Sequence, residues 1–467
     1  RNMENFKKKY LGDKAFYLMV LGVVLPIMIQ NGITNFVSLL DNIMVGRVGT
    51  EQMSGVAIVN QLMFVFNLGA FGVISGAGIF GAQFYGCGKH DGVRHTFRFK
   101  LIAVFIVTLC ACLLFYFAGE NLISLYLHEE ETTDPAALQA ALHYGRQYLL
   151  VMLIGIPPFA VSQCYTSTLR ECGETILPMK ASMAAVGVNM CFNAVLIFGL
   201  LGFPRLGVVG AAIATVLARY VEMVIVVLYT HKHADLYPFI KGAYESLHIP
   251  GSLVSKILIK GTPLMANELL WAMGMAVMTQ CYSMRGLDVV AGLNISSTIS
   301  NLFSVVYISM GNAVAIIIGQ LLGAGKMEEA KETDTRLIVF SVLTCMAVGL
   351  ALFVLAPFFP MIYNTTDKVR GLATGFIRIV AIYIPVNAFL NTCYFTIRAG
   401  GRTVITFLFD SVFIWVVSIP CAYFLSRYTD MPIVPLYLCC QLLDLIKCVI
   451  GFIMVKKGMW ISNLVEK

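Results

Sequence analysis

The chain has 467 residues, of which 58% are hydrophobic and 13% charged, with a formal net charge of +7. Soluble domains carry roughly 25% charged residues, so a water-soluble body is excluded and lipid is the solvent for most of this chain. Lipid-exposed backbone must satisfy its own hydrogen bonds, and the short alternating segments of a membrane barrel are absent from the sequence, so the long apolar runs are helices.

In chain order the apolar runs predict spans at about 15–45, 52–85, 96–117, 142–169, 176–200 and 207–231. A second set follows at about 253–284, 288–323, 333–356, 370–397, 403–425 and 433–456. Lys and Arg are asymmetric across this map. With the N-terminus inside, 23 of the 33 fall in inside segments and seven outside (Arg47, Arg146, Arg205, Arg285, Lys368, Arg370 and Arg427). The positive-inside rule then puts both termini in the cytoplasm and Glu129, Glu130 and Glu131 outside. The net charge is thereby membrane topology rather than a nucleic-acid footprint. The 13 cysteines avoid the outer loops and imply no disulfide framework. The first apolar run is too long for a cleavable signal peptide, and an opening Arg1 in place of Met points to a start further upstream.

The two sets are copies of one half. Val56-Ala57-Ile58-Val59-Asn60 matches Val290-Ala291-Gly292-Leu293-Asn294, and Gln83-Phe84-Tyr85-Gly86-Cys87-Gly88-Lys89 matches Gln320-Leu321-Leu322-Gly323-Ala324-Gly325-Lys326. Arg170-Glu171-Cys172-Gly173-Glu174-Thr175 matches Arg398-Ala399-Gly400-Gly401-Arg402-Thr403, each preceded by a proline (Pro157, Pro385), and Pro26 corresponds to Pro263. An even number of helices per half relates the halves by an axis along the membrane normal, a design used by transporters. The expected architecture is therefore an all-α integral membrane protein of twelve transmembrane helices in two parallel-repeat six-helix lobes. Residues 1–231 form the N-terminal lobe, 232–252 a cytoplasmic linker and 253–467 the C-terminal lobe.

Particular residues carry a family resemblance. Pro26 stands fifteen residues before Asp41, which is followed by Met44-Val45-Gly46-Arg47-Val48-Gly49-Thr50. Asn60-Gln61, Gly81-Ala82-Gln83 with Gly86-Cys87-Gly88-Lys89, and the stretch 207–215 with Ala218-Arg219 add to it. In these residues, and over nearly its whole length, the chain resembles the multidrug and toxic compound extrusion (MATE) family. The resemblance implies export of organic, often cationic, compounds in exchange for H+ or Na+ by alternating access, through paired six-helix lobes in the cell inner or plasma membrane. It implies no cofactor beyond the coupling ion, small organic substrates as partners, and a monomer.

An ionisable residue inside a lipid-embedded helix marks a functional site by default. Asp41 lies about six residues, near 9 Å, from the outer end of the first span. Asn193 in the fifth span, Thr215 in the sixth and Asn60 in the second lie at about 10–12 Å depth, with Asn189 one turn below Asn193 on the same face. One carboxylate with amide and hydroxyl oxygens suits Na+, and the same acid in an apolar lobe could instead carry a proton. The alternative from the residues alone is that Asp41 caps a helix terminus. By resemblance, Asp41, Asn189, Asn193 and Thr215 match positions that line a cation site in the first lobe. Some members carry a second acid where this chain has Asn193, so Asp41 is the one formal charge there and H+ versus Na+ stays open.

In the second half, Glu268 sits five residues after Pro263, about one turn earlier than the acid that some members carry. Asn387 stands where some members have Asp. With Asn60 and Asp410, these two are the candidate substrate-cavity residues, although Glu268 could equally be a buried, hydrogen-bonded side chain. Asp444 with Lys447, and Arg219 with Glu222, are spaced i,i+3 to pair along their own helices. Gly72 and Gly76 form a close-packing motif, Met63, Phe64 and Phe66 face either a flat substrate or lipid, and Pro26 is either a hinge or a fixed bend.

Two alternatives compete. A lipid-linked saccharide flippase of the same superfamily would show more helices and an arginine-rich cavity. An intramembrane enzyme would need catalytic machinery, yet the sequence has no HExxH or GxSxG, and Gly86-Cys87-Gly88-Lys89-His90 lacks the ends of a phosphate loop. His231-Lys232-His233 reads as a solvated loop rather than a metal site.

Overall fold

Each apolar run closes into a helix longer than the hydrocarbon it has to cross, because the backbone ladder continues through flanking polar residues once it is nucleated. The computed structural model describes residues 1–127, 135–363 and 365–465. In chain order the helices are α1 Asn2–Tyr10, α2 Lys14–Gly46, α3 Thr50–Gly86, α4 His90–Leu127, α5 Pro135–Glu171, α6 Ile176–Phe198 and α7 Val208–Lys232. The second half has α8 Gly251–Ser283, α9 Leu287–Gly323, α10 Met327–Leu355, α11 Asp367–Ala399, α12 Thr403–Phe407, α13 Ile419–Tyr428, α14 Ile433–Leu442 and α15 Asp444–Lys457. The fold is all-α, with no strand among the described residues, and twelve membrane-crossing stretches reappear. Glu129, Glu130 and Glu131, expected in an outer loop, fall outside the described residues.

Eleven of the stretches are long and apolar enough to cross a membrane by length and composition. The twelfth, α8, is 33 residues long but carries Asn267 and Glu268 in its middle, which lowers its apolarity. Large apolar side chains such as Phe117, Leu350, Phe105 and Val416 are exposed, as expected where lipid replaces water. Two features were not legible beforehand. Residues 2–10 form a short helix with no buried residue, and α4 runs well past the apolar core that predicted it. The eleventh stretch is not a regular helix. Between α12 and α13 the segments Leu408–Val412 and Ile414–Ser418 are π-helical, just before Pro420, which has no N–H to offer the ladder.

By contacts the chain divides into two compact units. The first-half unit comprises Ile29–Gly81 and His90–Ser255; the second-half unit comprises Arg1–Met28, Ala82–Lys89 and Lys256–Lys467. The core of the first-half unit gathers Val59, Leu149, Ile156, Ile197 and Ala212. That of the second-half unit gathers Val20, Val24, Leu322, Leu337 and Trp460. The internal repeat shows in the turns: Gly88 and Gly325 have φ of 75° and 77°, and Gly173 and Gly401 have 83° and 81°, left-handed values that favour glycine at matched positions.

The residues 232–252 are not a loose tether. Arg98 on α4 donates to the carbonyls of Ala243 (2.9 Å), Gly242 (2.7 Å) and His248 (3.1 Å), and Arg94 donates to Phe239 (3.3 Å) and Pro238 (3.2 Å). In the second-half unit, the segment after α15 wraps Gln83 at the end of α3. The Gln83 amide donates to Ala399 O (3.0 Å) and Ser462 O (3.3 Å), and its carbonyl accepts from Leu464 N (2.7 Å).

Candidate functional site

Asp41 stands five residues before the end of α2 at Gly46. Across from it, α6 presents Asn189 and Asn193 on one face, because residues four apart on a helix point the same way. Asn189 Nδ2 donates to Asp41 Oδ2 at 3.2 Å, and Asn193 Nδ2 donates to Asp41 Oδ1. The carboxylate is thus held by two side-chain amides of α6 rather than by backbone N–H groups of a helix terminus. The carbonyl oxygens of both amides, Asn189 Oδ1 and Asn193 Oδ1, are buried with no hydrogen-bond partner. The first-half unit thus carries two carboxylate oxygens and two unpartnered amide oxygens on three neighbouring side chains. A buried oxygen without a donor costs about 1–3 kcal/mol.

Thr215 lies on the neighbouring helix α7, where its hydroxyl donates to Ala211 O (3.1 Å) in its own helix rather than to Asp41. Helices α6 and α7 approach closely because Gly210 has no side chain: a Cβ there would lie 2.6 Å from the Leu196 carbonyl oxygen. Asn60 is exposed on α3 and accepts a long bond from Tyr148 (3.5 Å).

Deeper in the same unit is a network that the sequence did not announce. Arg170 on α5 donates to the Gln30 side-chain carbonyl, Gln30 Nε2 donates to Ser182 Oγ (2.7 Å), and Ser182 donates to Glu222 Oε1 (3.0 Å). Gln30 is one turn past Pro26 in α2, and α2 passes from one compact unit to the other between Met28 and Ile29. The expected pairing of Arg219 with Glu222 does not close: Glu222 takes Ser182, and Arg219 lies over the Phe159 ring at 5.0 Å. Lateral partners on neighbouring helices outcompete the i+3 position. Only the proximity of Gln30 to Pro26 in sequence could have flagged the network.

In the second-half unit, Asp410 is drawn into a cluster with Asn267, Tyr394 and Lys447. Asn267 Nδ2 donates to Asp410 Oδ2 and to Tyr394 OH, both at 3.2 Å, and Lys447 Nζ reaches Asp410 Oδ1 at 3.4 Å. Lys447 was expected to pair with Asp444 on its own helix; its ion pair is with Asp410 instead, because the π-helical turn carries that carboxylate toward α15. Glu268, half-buried, has Arg398 and Asp410 as electrostatic neighbours. Asn387 lies two turns from Tyr394 on one face of α11, about 10 Å away along the helix. Asn267 was missed, since an amide beside Glu268 draws less notice than the acid.

Comparison with known proteins now bears on this geometry. The MatE family model matches residues 26–195 and 263–424, most of both halves. The chain belongs to the MATE family. It is 24% identical over 417 residues to the probable multidrug resistance protein NorM of Halalkalibacterium halodurans, covering 88% of each chain. The corresponding protein of Thermotoga maritima is 22% identical, covering 88% of this chain and 86% of that one. Among solved structures, a MOP-superfamily transporter from Pyrococcus furiosus superposes with a TM-score of 0.84 at 18% identity, over 94% of this chain and 95% of that one. An outward-facing MATE transporter gives 0.83 at 18% identity over 96% of both chains. These structures share the fold, twelve helices in two lobes. The relatives of this MATE chain are transporters, not enzymes.

Proposed function

We propose that the chain is a secondary active multidrug efflux transporter that exchanges small organic, often cationic, compounds for H+ or Na+ by alternating access. The observation that carries the coupling is the Asp41 cluster, a carboxylate held by two amides whose own oxygens have no partner, inside the membrane-crossing helices. That oxygen set supports Na+. The enclosure of this one acid among apolar helices supports H+, since the same carboxyl can carry a proton there. The multidrug names of the relatives support the cargo class. The Lys and Arg asymmetry supports an inner-membrane protein with both termini in the cytoplasm.

In the proposed cycle a cation binds Asp41, Asn189 and Asn193 from outside, with Thr215 turning in as a further oxygen. The outer part of α2 then tilts about Pro26, which lies just before the boundary between the compact units, and Gln30 shifts in the Arg170–Ser182–Glu222 network. Substrate affinity falls, substrate leaves, and the cation-loaded transporter returns inward. Such coupling requires that cation and substrate prefer different states. Asn60, Glu268 and Asn387 are the residues we assign to substrate contact, in a protein acting as a monomer.

The test is efflux of a fluorescent organic cation from proteoliposomes under an imposed H+ or Na+ gradient, comparing the parent with Asp41→Asn. Gradient-driven efflux in the parent and only background flux in the variant are expected, and the effective gradient names the ion. Uphill efflux at the parental rate in Asp41→Asn overturns the coupling site, and no transport under either gradient moves the function toward a lipid-linked saccharide flippase.

A further inference from the structure

The second-half unit builds a pocket with nearly the same donor chemistry as the Asp41 site, with one difference. At Asp41 the carboxylate meets two asparagine amides, and among the described residues no Lys or Arg stands within ion-pair distance. At Asp410 the carboxylate meets one asparagine amide, Asn267, and the ammonium of Lys447 at 3.4 Å.

The ammonium is enclosed. The Lys447 side chain is 8% exposed, and its Nζ lies 5.3 Å from the Phe413 ring and 5.9 Å from the Phe409 ring. Around the carboxylate stand further oxygens: Asn267 Oδ1, which accepts from Ser411 Oγ at 2.5 Å, and the Tyr394 hydroxyl. Four stretches converge here, from α8, α11, the π-helical Leu408–Val412 and α15. Asp410 and Ser411 both lie in the π-helical turn, and both meet Asn267. Ser411 also donates to the Asn267 main-chain carbonyl at 2.8 Å, and Trp415 Nε1 pins Leu270 O at 2.9 Å, so the distorted stretch is locked to α8 along its length.

An ionised carboxylate among membrane-crossing helices is stabilised by a positive partner. At Asp41 that partner must come from solution. In the second-half unit the chain supplies it, with three donor hydrogens on a flexible stem and aromatic faces to stabilise the charge. We propose that Lys447 is a resident cation: it occupies the position that an exchangeable ion would take at Asp410, so ion exchange is confined to the Asp41 site and one cation is coupled per transport cycle. The single-cation part rests on the Asp41 reading; the occupancy of the Asp410 pocket by Lys447 does not.

Radiolabelled Na+ binding to purified full-length protein in nanodiscs, at mildly alkaline pH, tests the occupancy without any transport step. The Asp41→Asn variant is expected to bind no Na+ saturably. Adding Lys447→Met should create a saturable site that raises bound Na+ about tenfold or more over that background, and adding Asp410→Asn to this pair should abolish it. Saturable binding in Asp41→Asn alone, or no gain in a monodisperse Asp41→Asn/Lys447→Met protein, overturns the proposal. Should Lys447→Met fail to fold, the ion-to-substrate ratio of the parent, read from the reversal potential, decides instead. One cation per substrate is expected, and two overturn it. A parent whose Asp41→Asn variant still transports uphill would sink the Asp41 reading while leaving the Na+-binding result to stand.

Discussion

The two halves began as copies, and at matched places they have kept some contacts and reversed others. Gly86 and Gly323 are kept: a Cβ on Gly86 would overlap the main chain of Gln320, and one on Gly323 would overlap the main chain of Gln83, so the ends of α3 and α9 cross through reciprocal glycines. Thr168 and Thr396, each two residues before the matched arginines Arg170 and Arg398, are reversed in role. Thr168 accepts from the fully buried Lys100 ammonium at 3.0 Å, which also holds Glu171 at 2.6 and 2.8 Å. Thr396 donates to Asp334 Oδ1 at 2.5 Å, and the other oxygen of that buried acid has no partner. At a close backbone approach any side chain meets main chain that has little room to move, so duplication preserved the glycines. A buried charge needs only some partner, so each half found its own.

The sharpest way to break this comparison is to remove the cation from the first half. Lys100→Met takes the ammonium away from Glu171, which lies buried against Gly78 and Gly81, and should cost about 3–5 kcal/mol, read as a large drop in thermal stability in detergent. Lys100→Met with Glu171→Gln should recover most of that loss; no recovery would mean that the lysine acts through packing. Gly86→Ala and Gly323→Ala should each cost about 1–3 kcal/mol in the same assay, and by similar amounts, because their obstacles are matched. A strongly unequal pair would show that the crossing is not reciprocal in energy. The smallest effect belongs to Asp334→Asn: the amide oxygen still accepts from Thr396, so stability should change by less than about 1 kcal/mol. A larger loss would mean that the charge of Asp334 is needed.

Much of this was legible in one dimension. Lipid imposes length and apolarity on each segment separately, so the twelve spans, the repeat and its glycine turns could be read from local composition. Asp41 stood out because a carboxylate among apolar residues is costly wherever the helix goes, and Asn189 and Asn193 shared a face by helical period alone. The extent of α4 and the helix at residues 2–10 were missed because apolarity marks the hydrocarbon core and not where a helix stops.

Sequence alone therefore determined the membrane-spanning class, the duplicated plan and the acid at which coupling is proposed. Tertiary structure decided which partner each buried polar group takes. Asp41 meets Asn193 across 152 residues, Gln30 meets Ser182 across the same separation, and Lys447 passes over the nearby Asp444 for Asp410, 37 residues away. The reason is rotational: an apolar helix in lipid carries little amphipathic signal to say which face turns inward, so only packing against its neighbours brings these side chains together.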